Sequence, residues 1–200
     1  MERTVYINSY KAPEIDKKEI LRYARSGENE QTVSLLDECI KETRDILSYK
    51  VCFRRFKIKR DDGGLDLGFA VSDSHSLSLC LEGCDEIILF AATVGVSLDR
   101  LIARYNVTSP AKAIMLQAIG SERVEALCDE FCKDISRLES EKKKALRPRF
   151  SPGYGDLPLE IQREVFSALD CTKSIGISLS DGLFMTPTKS VTAIIGIYSK

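Results

Sequence analysis

The sequence predicts an α+β protein with a mostly antiparallel or mixed sheet, on the basis of three observations. Apolar residues recur at helical spacing in several segments, the longest of which runs from about residue 109 to 142. Short alternating or continuously apolar runs, typical of strands, lie between these segments. The strands do not alternate with helices in the regular order of a parallel sheet, which favours α+β. At 200 residues the chain can form one sizeable core, or two small subdomains that share one, and we expect a single domain over residues 1–200.

The first part of the chain predicts three strands and two helices. Alternation predicts the strands, and the longer helix rests on apolar spacings of three and four, as at Val33, Leu36 and Ile40. The run Asp61-Asp62-Gly63-Gly64 is a turn signal between the last two strands. In order, the expected elements are a strand at 4–10, a helix that stops near Gly27, a helix at about 28–49, a strand at 51–60 and a returning strand at 65–70.

The middle of the chain predicts the most deeply buried strand and the longest helix. Residues 86–94 are a continuous apolar run, which indicates a strand buried on both faces. Ser74 caps a short helix that stops at Gly83, and residues 97–105 are also helical. Thr108-Ser109-Pro110 supplies the cap and the first-turn proline of the longest helix. Along this helix the expected buried stripe is Ile114, Ala118, Ile119, Leu127, Cys128, Phe131, Ile135 and Leu138.

The last part of the chain predicts an amphipathic helix at 158–169 and a short turn of helix from Thr172 that ends at Gly176. The charged run Glu141 to Lys144 is interpreted as the solvated, fraying end of the long helix. Short strands are expected at 177–179, 183–186 and 190–198.

Residues 149–158 form the most unusual stretch and read Arg-Phe-Ser-Pro-Gly-Tyr-Gly-Asp-Leu-Pro. Pro152-Gly153 is typical of a type II turn, because proline fixes φ at the second position and glycine allows a positive φ at the third. A cation, a hydroxyl group, an aromatic ring and a second glycine surround this turn, namely Arg149, Ser151, Tyr154 and Gly155. Since glycines let a ligand approach the main chain, we expect the loop to hold a ligand.

Charge and composition argue against several classes of protein. The net charge of −1 and the pI of about 6.0 give no overall attraction to nucleic acid or to an anionic membrane. No apolar run approaches the roughly 20 residues of a membrane helix, and the start Met-Glu-Arg-Thr-Val lacks the apolar core of a signal peptide, so we expect a cytoplasmic protein. A basic strand at 54–60 leaves a nucleic-acid patch as an alternative, although a solvated strand face is favoured.

The sequence predicts neither a metal site nor catalytic residues. Its seven cysteines are an odd number, which fits reduced thiols in the cytosol. Cys80 and Cys84, like Cys128 and Cys132, are spaced to share a helical face, but buried thiols are a better interpretation of both pairs than metal ligands. The single histidine, His75, is interpreted as a surface residue, and no hydrolase, phosphate-loop or metalloprotease motif is present.

The loop resembles the R-P-x-P-G-Y signature of the activation domain of cobalamin-dependent methionine synthase. Three further segments resemble that family in the same order, and they are residues 85–99, 118–130 and 171–193. Together these matches cover about residues 85–196, whereas residues 1–80 match only loosely and carry no expected ligand contact.

The resemblance implies a C-shaped α+β domain with a curved antiparallel sheet and a cleft for S-adenosylmethionine. In that family the domain helps to rescue cobalamin after its cobalt has been oxidised. An electron arrives from flavodoxin or a similar donor, and S-adenosylmethionine supplies the methyl group that traps reduced cobalt as methylcobalamin. The implied partner is a cobalamin-binding module, and cobalamin would reach this protein only through that partner.

The residues that we expect to bind S-adenosylmethionine are Arg149, Ser151, Pro152, Gly153, Tyr154 and Glu125. The Arg149 guanidinium suits the carboxylate of the ligand, and the main chain of the loop would receive the adenine. Glu125 falls where the family helix carries an acidic residue and would face the ammonium or sulfonium group. Three alternatives stay open: a salt bridge from Arg149 to the preceding helix, a solvated Glu125 and an ordinary half-buried Tyr154.

These expectations lead to the hypothesis of a stand-alone activation protein that acts in trans on a methionine synthase. An alternative is a ligand-free interaction protein that docks on a corrinoid protein. A nucleic-acid-binding module that uses the basic strand is a third, less favoured class.

Overall fold

The computed structural model describes residues 4–61 and 64–200. Asp62 and Gly63, at the centre of the predicted turn Asp61-Asp62-Gly63-Gly64, lie outside these ranges. In chain order, the elements are β1 (Tyr6–Tyr10), α1 (Lys17–Tyr23), α2 (Glu30–Thr43), β2 (Tyr49–Lys57), β3 (Lys59–Asp61), β4 (Gly64–Asp66), β5 (Val71–Ser72), α3 (His75–Cys80), β6 (Cys84–Thr93), α4 (Val96–Thr108), α5 (Pro110–Ser140), β7 (Lys144–Leu146), a 3-10 turn (Leu159–Ile161), α6 (Gln162–Leu169), α7 (Cys171–Ile175), β8 (Ser178–Leu179), β9 (Met185–Thr186) and β10 (Ser190–Ser199).

The predicted α+β class is confirmed. Five of the described strands form one antiparallel sheet in the order β1-β2-β6-β10-β7, and two small sheets pair β3-β4-β5 and β8-β9. Strand β6 lies at the centre of the large sheet, between β2 and β10. Residues 87–92 of this strand are all buried, as its continuous apolar sequence predicts.

Two hydrophobic cores lie on opposite faces of β6, because successive strand residues point to opposite sides. Ile88, Phe90 and Ala92 belong to the core that packs against α1, α2, α4 and α5. Ile87 and Leu89 belong to the other core, which packs against α3, α6 and α7. The sheet is therefore covered by helices on both faces, with the long α5 helix on one of them.

Helix α5 confirms the predicted long helix and most of its buried stripe. Ile114 and Leu138 are exceptions, since they are 57% and 50% exposed. In the first turns the inward positions are occupied by Ala113 and Leu116, and in the last turn Glu139 faces inward to an ion pair with Arg55. Pro110 occupies the first turn as predicted, but the Ser109 side chain makes no capping hydrogen bond.

Element boundaries differ from the predictions where sheet pairing takes over. The second helix ends at Thr43 rather than near residue 49, because Tyr49 pairs with Tyr10 of β1 at the start of β2. The predicted strand at 51–60 is interrupted at Ile58, and the returning strand is only three residues long. The helix predicted at 158–169 begins with a 3-10 turn before α6.

Strand β7 and its ion pairs were not predicted. The interpretation of Glu141 to Lys144 as a fraying helix end is wrong for Lys144, which begins β7 and whose Nζ lies 2.6 Å from Glu86 Oε2. Glu86 also pairs with Arg55 at 3.1 Å. In the basic strand Lys57 and Lys59 are exposed, as the interpretation of a solvated strand face requires. Arg55, by contrast, forms ion pairs with Glu86 and Glu139.

The four thiols spaced for two helical faces are arranged differently. Cys128 and Cys132 do share α5, but Cys84 is the first residue of β6, and α3 has already ended at Cys80.

Over residues 4–61 and 64–200, no helix combines the length and the apolar character that crossing a membrane requires.

Candidate functional site

A cleft of about 640 Å³ lies between the 149–154 loop, helix α5, the start of α6 and the segment from 183 to 192. Of the predicted site residues, the structure brings Glu125, Arg149, Ser151, Pro152 and Tyr154 into its wall. Gly153 belongs to the same turn but is not part of the lining. The further lining residues are Phe150, Leu159, Gln162, Leu183, Phe184, Met185, Thr188, Ser190, Val191 and Thr192.

The predicted turn at Pro152-Gly153 is confirmed. Gly153 has φ +86°, and the N–H of Tyr154 donates to the carbonyl oxygen of Ser151 at 3.1 Å, which closes the turn. The N–H of Gly153 donates to the carbonyl oxygen of Leu157 at 3.0 Å. Both N–H groups are therefore used inside the loop, and its shape does not depend on a ligand.

Asp156 fastens the loop to the start of α3. Its carboxylate accepts hydrogen bonds from the Ser74 hydroxyl at 2.5 Å, from the His75 N–H at 2.8 Å and from the Ser76 N–H at 3.1 Å. The Ser74 hydrogen bond, followed by the two backbone donors, holds the pKa of Asp156 well below its usual range and outweighs the opposing effect of desolvation. Sequence reasoning missed this role, because the partners lie about 80 residues apart and share no pattern.

Gly155 is required by the same contact. It has φ +55°, and a Cβ atom at this position would lie 2.8 Å from Ser76 Oγ and 2.9 Å from Ser76 Cβ. The close approach to α3, and not only access for a ligand, therefore explains the second glycine of the loop.

The loop is also joined to the large sheet. The N–H of Phe150 donates to the carbonyl oxygen of Ile194 at 2.9 Å, and the N–H of Ile194 donates to that of Phe150 at 2.8 Å. Leu157 is buried in the core that contains α3 and α6. The loop is consequently held by β10, by α3 and by the core.

Arg149 is engaged with helix α5. Its Nη1 lies 3.2 Å from Glu125 Oε2, and its Nη2 donates to Asp129 Oδ1 at 2.7 Å. The salt bridge to the preceding helix, one of the alternatives for Arg149, is therefore observed, and Glu125 is one of its partners. Asp129 was missed, although it lies four residues after Glu125 and so on the same helical face. One cation and two carboxylates give this cluster a net charge of −1, although Asp129 is not among the residues that line the cleft.

Gln162 and Thr192 are buried polar residues in the cleft wall, with exposures of 4% and 2%. The Thr192 hydroxyl donates to Gln162 Oε1 at 2.9 Å. The bond uses the carbonyl oxygen of the amide and does not engage its NH₂ group. No sequence signal links these two residues, since one follows a 3-10 turn and the other lies in the middle of β10.

The rim of the cleft is aromatic and exposed. Tyr154 is 71% exposed and Phe184 is 78% exposed. The alternative of an ordinary half-buried Tyr154 is therefore wrong, and its ring is free to contact a ligand or a partner.

Burial favours the protonated form of two thiols near Arg149, those of Cys128 and Cys132. Burial raises the pKa of Cys132 to about 11 against the opposing charge of Arg149, and burial also raises the pKa of Cys128.

In the part of the chain that the structure describes, no group of three or more His, Cys, Asp or Glu side chains is arranged to hold a metal ion.

The fold is similar to that of a solved reactivation domain. A structure described as the crystal structure of the MetH reactivation domain bound to AdoHcy matches with a TM-score of 0.67 and 14% identity, over 96% of this chain and 78% of that one. No curated protein sequence matches this chain.

Residues 80–199 match the sequence profile described as vitamin B12 dependent methionine synthase, activation domain. The matched range contains Glu125, the 149–158 loop and the Gln162–Thr192 pair, and it spans more than half of the 200 residues. The chain therefore belongs to the activation-domain family of vitamin B12 dependent methionine synthases.

Proposed function

We propose that the cleft binds S-adenosylmethionine and that the protein supports the reductive remethylation of oxidised cobalamin on a methionine synthase. The observation that carries this proposal is the cleft, which is formed by the 149–154 loop and the Arg149–Glu125 pair. Membership of the activation-domain family implies this ligand. The structural relative with AdoHcy supports the same class of ligand. The cavity volume of about 640 Å³ lies in the ordinary range for small-molecule sites.

Charge complementarity supports S-adenosylmethionine in particular. The ligand carries one carboxylate, one ammonium and one sulfonium group, so its net charge is +1. The cluster of Arg149, Glu125 and Asp129, of which the first two line the cleft, has a net charge of −1. S-adenosylhomocysteine lacks the sulfonium charge and should gain less from this cluster.

Each side chain of the site has a defined task in this proposal. Arg149 has five N–H donors and uses two nitrogens on α5, which leaves donors for the ligand carboxylate. Glu125 would face the ammonium or sulfonium group. Because the N–H groups of Gly153 and Tyr154 are used within the loop, the adenine would meet loop carbonyl groups, the Ser151 N–H and the exposed Tyr154 ring.

The Gln162 amide offers a further donor in the wall of the cleft, where it would meet an acceptor of the ribose or the adenine. When bound, S-adenosylmethionine would supply an already activated methyl group. The protein's own residues then need only to bind and orient the ligand.

The proposed partner is the cobalamin-binding module of a methionine synthase, and we propose that it is engaged in trans. Membership of the activation-domain family supports this partner. Flavodoxin or a similar protein would be the electron donor. The exposed rings of Tyr154 and Phe184 at the rim are the surface that we expect to approach the module.

Calorimetric titration with S-adenosylmethionine tests the ligand. We expect saturable binding, and Arg149→Gln should weaken it by about 1.5–3 kcal/mol, the range for a hydrogen bond to a charged group. Glu125→Gln should weaken S-adenosylmethionine more than S-adenosylhomocysteine. Arg137→Gln is the matched control for the arginine variant, because Arg137 is exposed on α5, does not line the cleft and pairs only with Asp134 among the described carboxylates. A folded protein that shows no heat at millimolar ligand would contradict the proposal.

A second candidate function is docking on a corrinoid protein without a ligand. It is favoured by one observation, which is that α5 already supplies two carboxylates to Arg149. Binding to an isolated cobalamin-binding module, measured with and without S-adenosylmethionine, separates the two functions. An affinity that S-adenosylmethionine leaves unchanged would support ligand-free docking.

A further inference from the structure

A second cleft, of about 510 Å³, lies between β2, the segment around Gly68 and Phe69, and a different face of helix α6. We call it the Arg54 cleft, and Arg54, Phe56, Phe69, Arg163, Glu164 and Ser167 are among its lining residues. None of the residues that line it lines the cleft around Arg149. The proposed function leaves this second cleft unused.

Arg54 is a half-buried cation that has no anionic partner among the side chains that the structure describes. Its guanidinium lies 4.6 Å from the centre of the Phe56 ring, and its buried Nε has no hydrogen-bond acceptor within residues 4–61 and 64–200. Its neighbour Arg55, by contrast, pairs with two carboxylates. Since buried polar groups are almost always paired in folded proteins, an acceptor from outside the chain is expected here.

Arg163 adds a second guanidinium to the same cleft. Its side chain is exposed on α6, and Nη2 donates to the carbonyl oxygen of Asp181 at 3.0 Å. Glu164 also lines the cleft, but among the described residues neither Arg54 nor Arg163 forms an ion pair with it or with any other carboxylate. Two cations and one carboxylate leave the cleft with a net charge of +1.

We propose that the Arg54 cleft binds a small phosphate-bearing ligand. Guanidinium groups suit phosphate because their planar N–H donors meet two oxygens at once, and the Ser167 hydroxyl offers a further donor. Phe56 and Phe69, with ring centres 5.3 Å apart, form an apolar wall beside the cations. This combination fits a phosphate attached to a flat organic group, and the cavity volume lies within the range of small-molecule sites.

The test is a titration of the ¹⁵N-labelled protein followed through the arginine Nε–Hε signals. Sodium phosphate should shift the Arg54 signal in a saturable manner, whereas sodium chloride at matched ionic strength should not. Adenosine 5′-monophosphate should bind at least about tenfold more tightly than inorganic phosphate if the aromatic wall takes part. Equal affinities for the two would assign the site to free phosphate rather than to a phosphorylated metabolite, which overturns that part of the proposal.

Two variants and one control complete the test. Arg54→Gln and the more exposed Arg163→Gln should each weaken phosphate binding at least about tenfold, and each should leave S-adenosylmethionine binding unchanged. Arg44→Gln removes the same charge from an exposed position at the end of α2 and should have no effect. A linear response, an equal response to chloride, or an equal loss in Arg44→Gln would overturn the proposal. So would a shift of the Arg54 signal by an acidic peptide without any response to phosphate, since that result indicates a protein-docking surface.

Discussion

The two glycines of the 149–158 loop are needed for different reasons. Gly153 supplies the positive φ of the turn, and a Cβ there would come no closer than 3.4 Å to Leu159. Gly155 also has a positive φ, but its space is taken by the side chain of Ser76. A substitution at Gly155 therefore combines backbone strain with a steric clash.

Gly155→Ala should destabilise the protein by about 1–3 kcal/mol, as the sum of left-handed strain and local overpacking. Urea unfolding measures the change. Gly27→Ala is the control, because a Cβ at Gly27 has no neighbour within 4 Å, and it should change stability by less than about 0.5 kcal/mol. In a Ser76→Gly background the loss at Gly155 should be smaller; an equal loss in both backgrounds would exclude the clash as its cause.

Arg149 illustrates how one residue can satisfy two interpretations. The sequence predicts a ligand contact, while the structure adds ion pairs to Glu125 and Asp129. These pairs hold the guanidinium against α5, and so reduce the conformational freedom that the Arg149 side chain would lose when a ligand binds. A ligand that carries both a carboxylate and a cation can join this cluster without leaving any of its charges unpaired.

At the scale of elements, helix α5 holds the N-terminal segment through a buried ion pair. Glu122 and Arg123 have side-chain exposures of 5% and 1% and pair with each other. Arg123 donates to the carbonyl oxygens of Pro13 and Glu14 at 2.6 Å, and Glu122 accepts from the N–H of Asp16 at 3.1 Å. The pair therefore fixes the connection between β1 and α1 against the middle of α5.

Glu122→Gln should destabilise the protein by about 3–5 kcal/mol, because it leaves the buried Arg123 cation without its counter-charge. Denaturant unfolding measures this loss. Glu130→Gln is the matched control on the same helix, because Glu130 forms an exposed pair with Lys133. This substitution should lower the free energy of unfolding by less than about 1 kcal/mol. Equal losses in the two variants would show that the buried pair contributes no more than an exposed one.

At the scale of the whole molecule, one antiparallel sheet carries a separate core on each face, and this plan could largely be predicted. The apolar run of β6, the periodicity of α5 and the turn at Pro152-Gly153 are local patterns, and the structure confirms them. The contacts of Asp156 with α3 and the strand β7 could not be predicted, because they join segments that are distant in sequence. The partners of Arg149 required the packing of the loop against α5.

The stability of the whole molecule should depend on pH through its paired carboxylates. Burial alone would raise the pKa of both Glu86 and Glu139. Hydrogen bonds and charges from Lys144 and Arg55 at Glu86, and from Arg55 and Lys142 at Glu139, outweigh burial and lower both pKa values. The pKa of Asp156 is lowered as well. A lowered pKa in the folded state contributes stability above the unfolded value of about 4, and this stability is lost as pH falls below it.

Urea unfolding between pH 7 and pH 3 should therefore show stability that declines below about pH 4.5. Glu139→Gln should make this decline shallower. On the alkaline side, burial raises the pKa of Cys39 and Cys132 to about 11, so stability should also fall as pH rises above about 9. A stability that is constant from pH 7 to pH 3 would contradict this assignment of paired carboxylates.

The three attachments of the 149–158 loop also bear on how related sequences should be interpreted. Folding alone demands much of the Arg149–Leu157 pattern, since Gly155 and Asp156 meet α3 and Leu157 fills a core. Natural selection would preserve these positions even in a descendant that no longer bound a nucleoside. Ser151 and Tyr154 have side chains without such a structural duty. Substitutions at Ser151 and Tyr154 should therefore indicate better than those at Gly155, Asp156 or Leu157 whether a member of the family still binds the ligand.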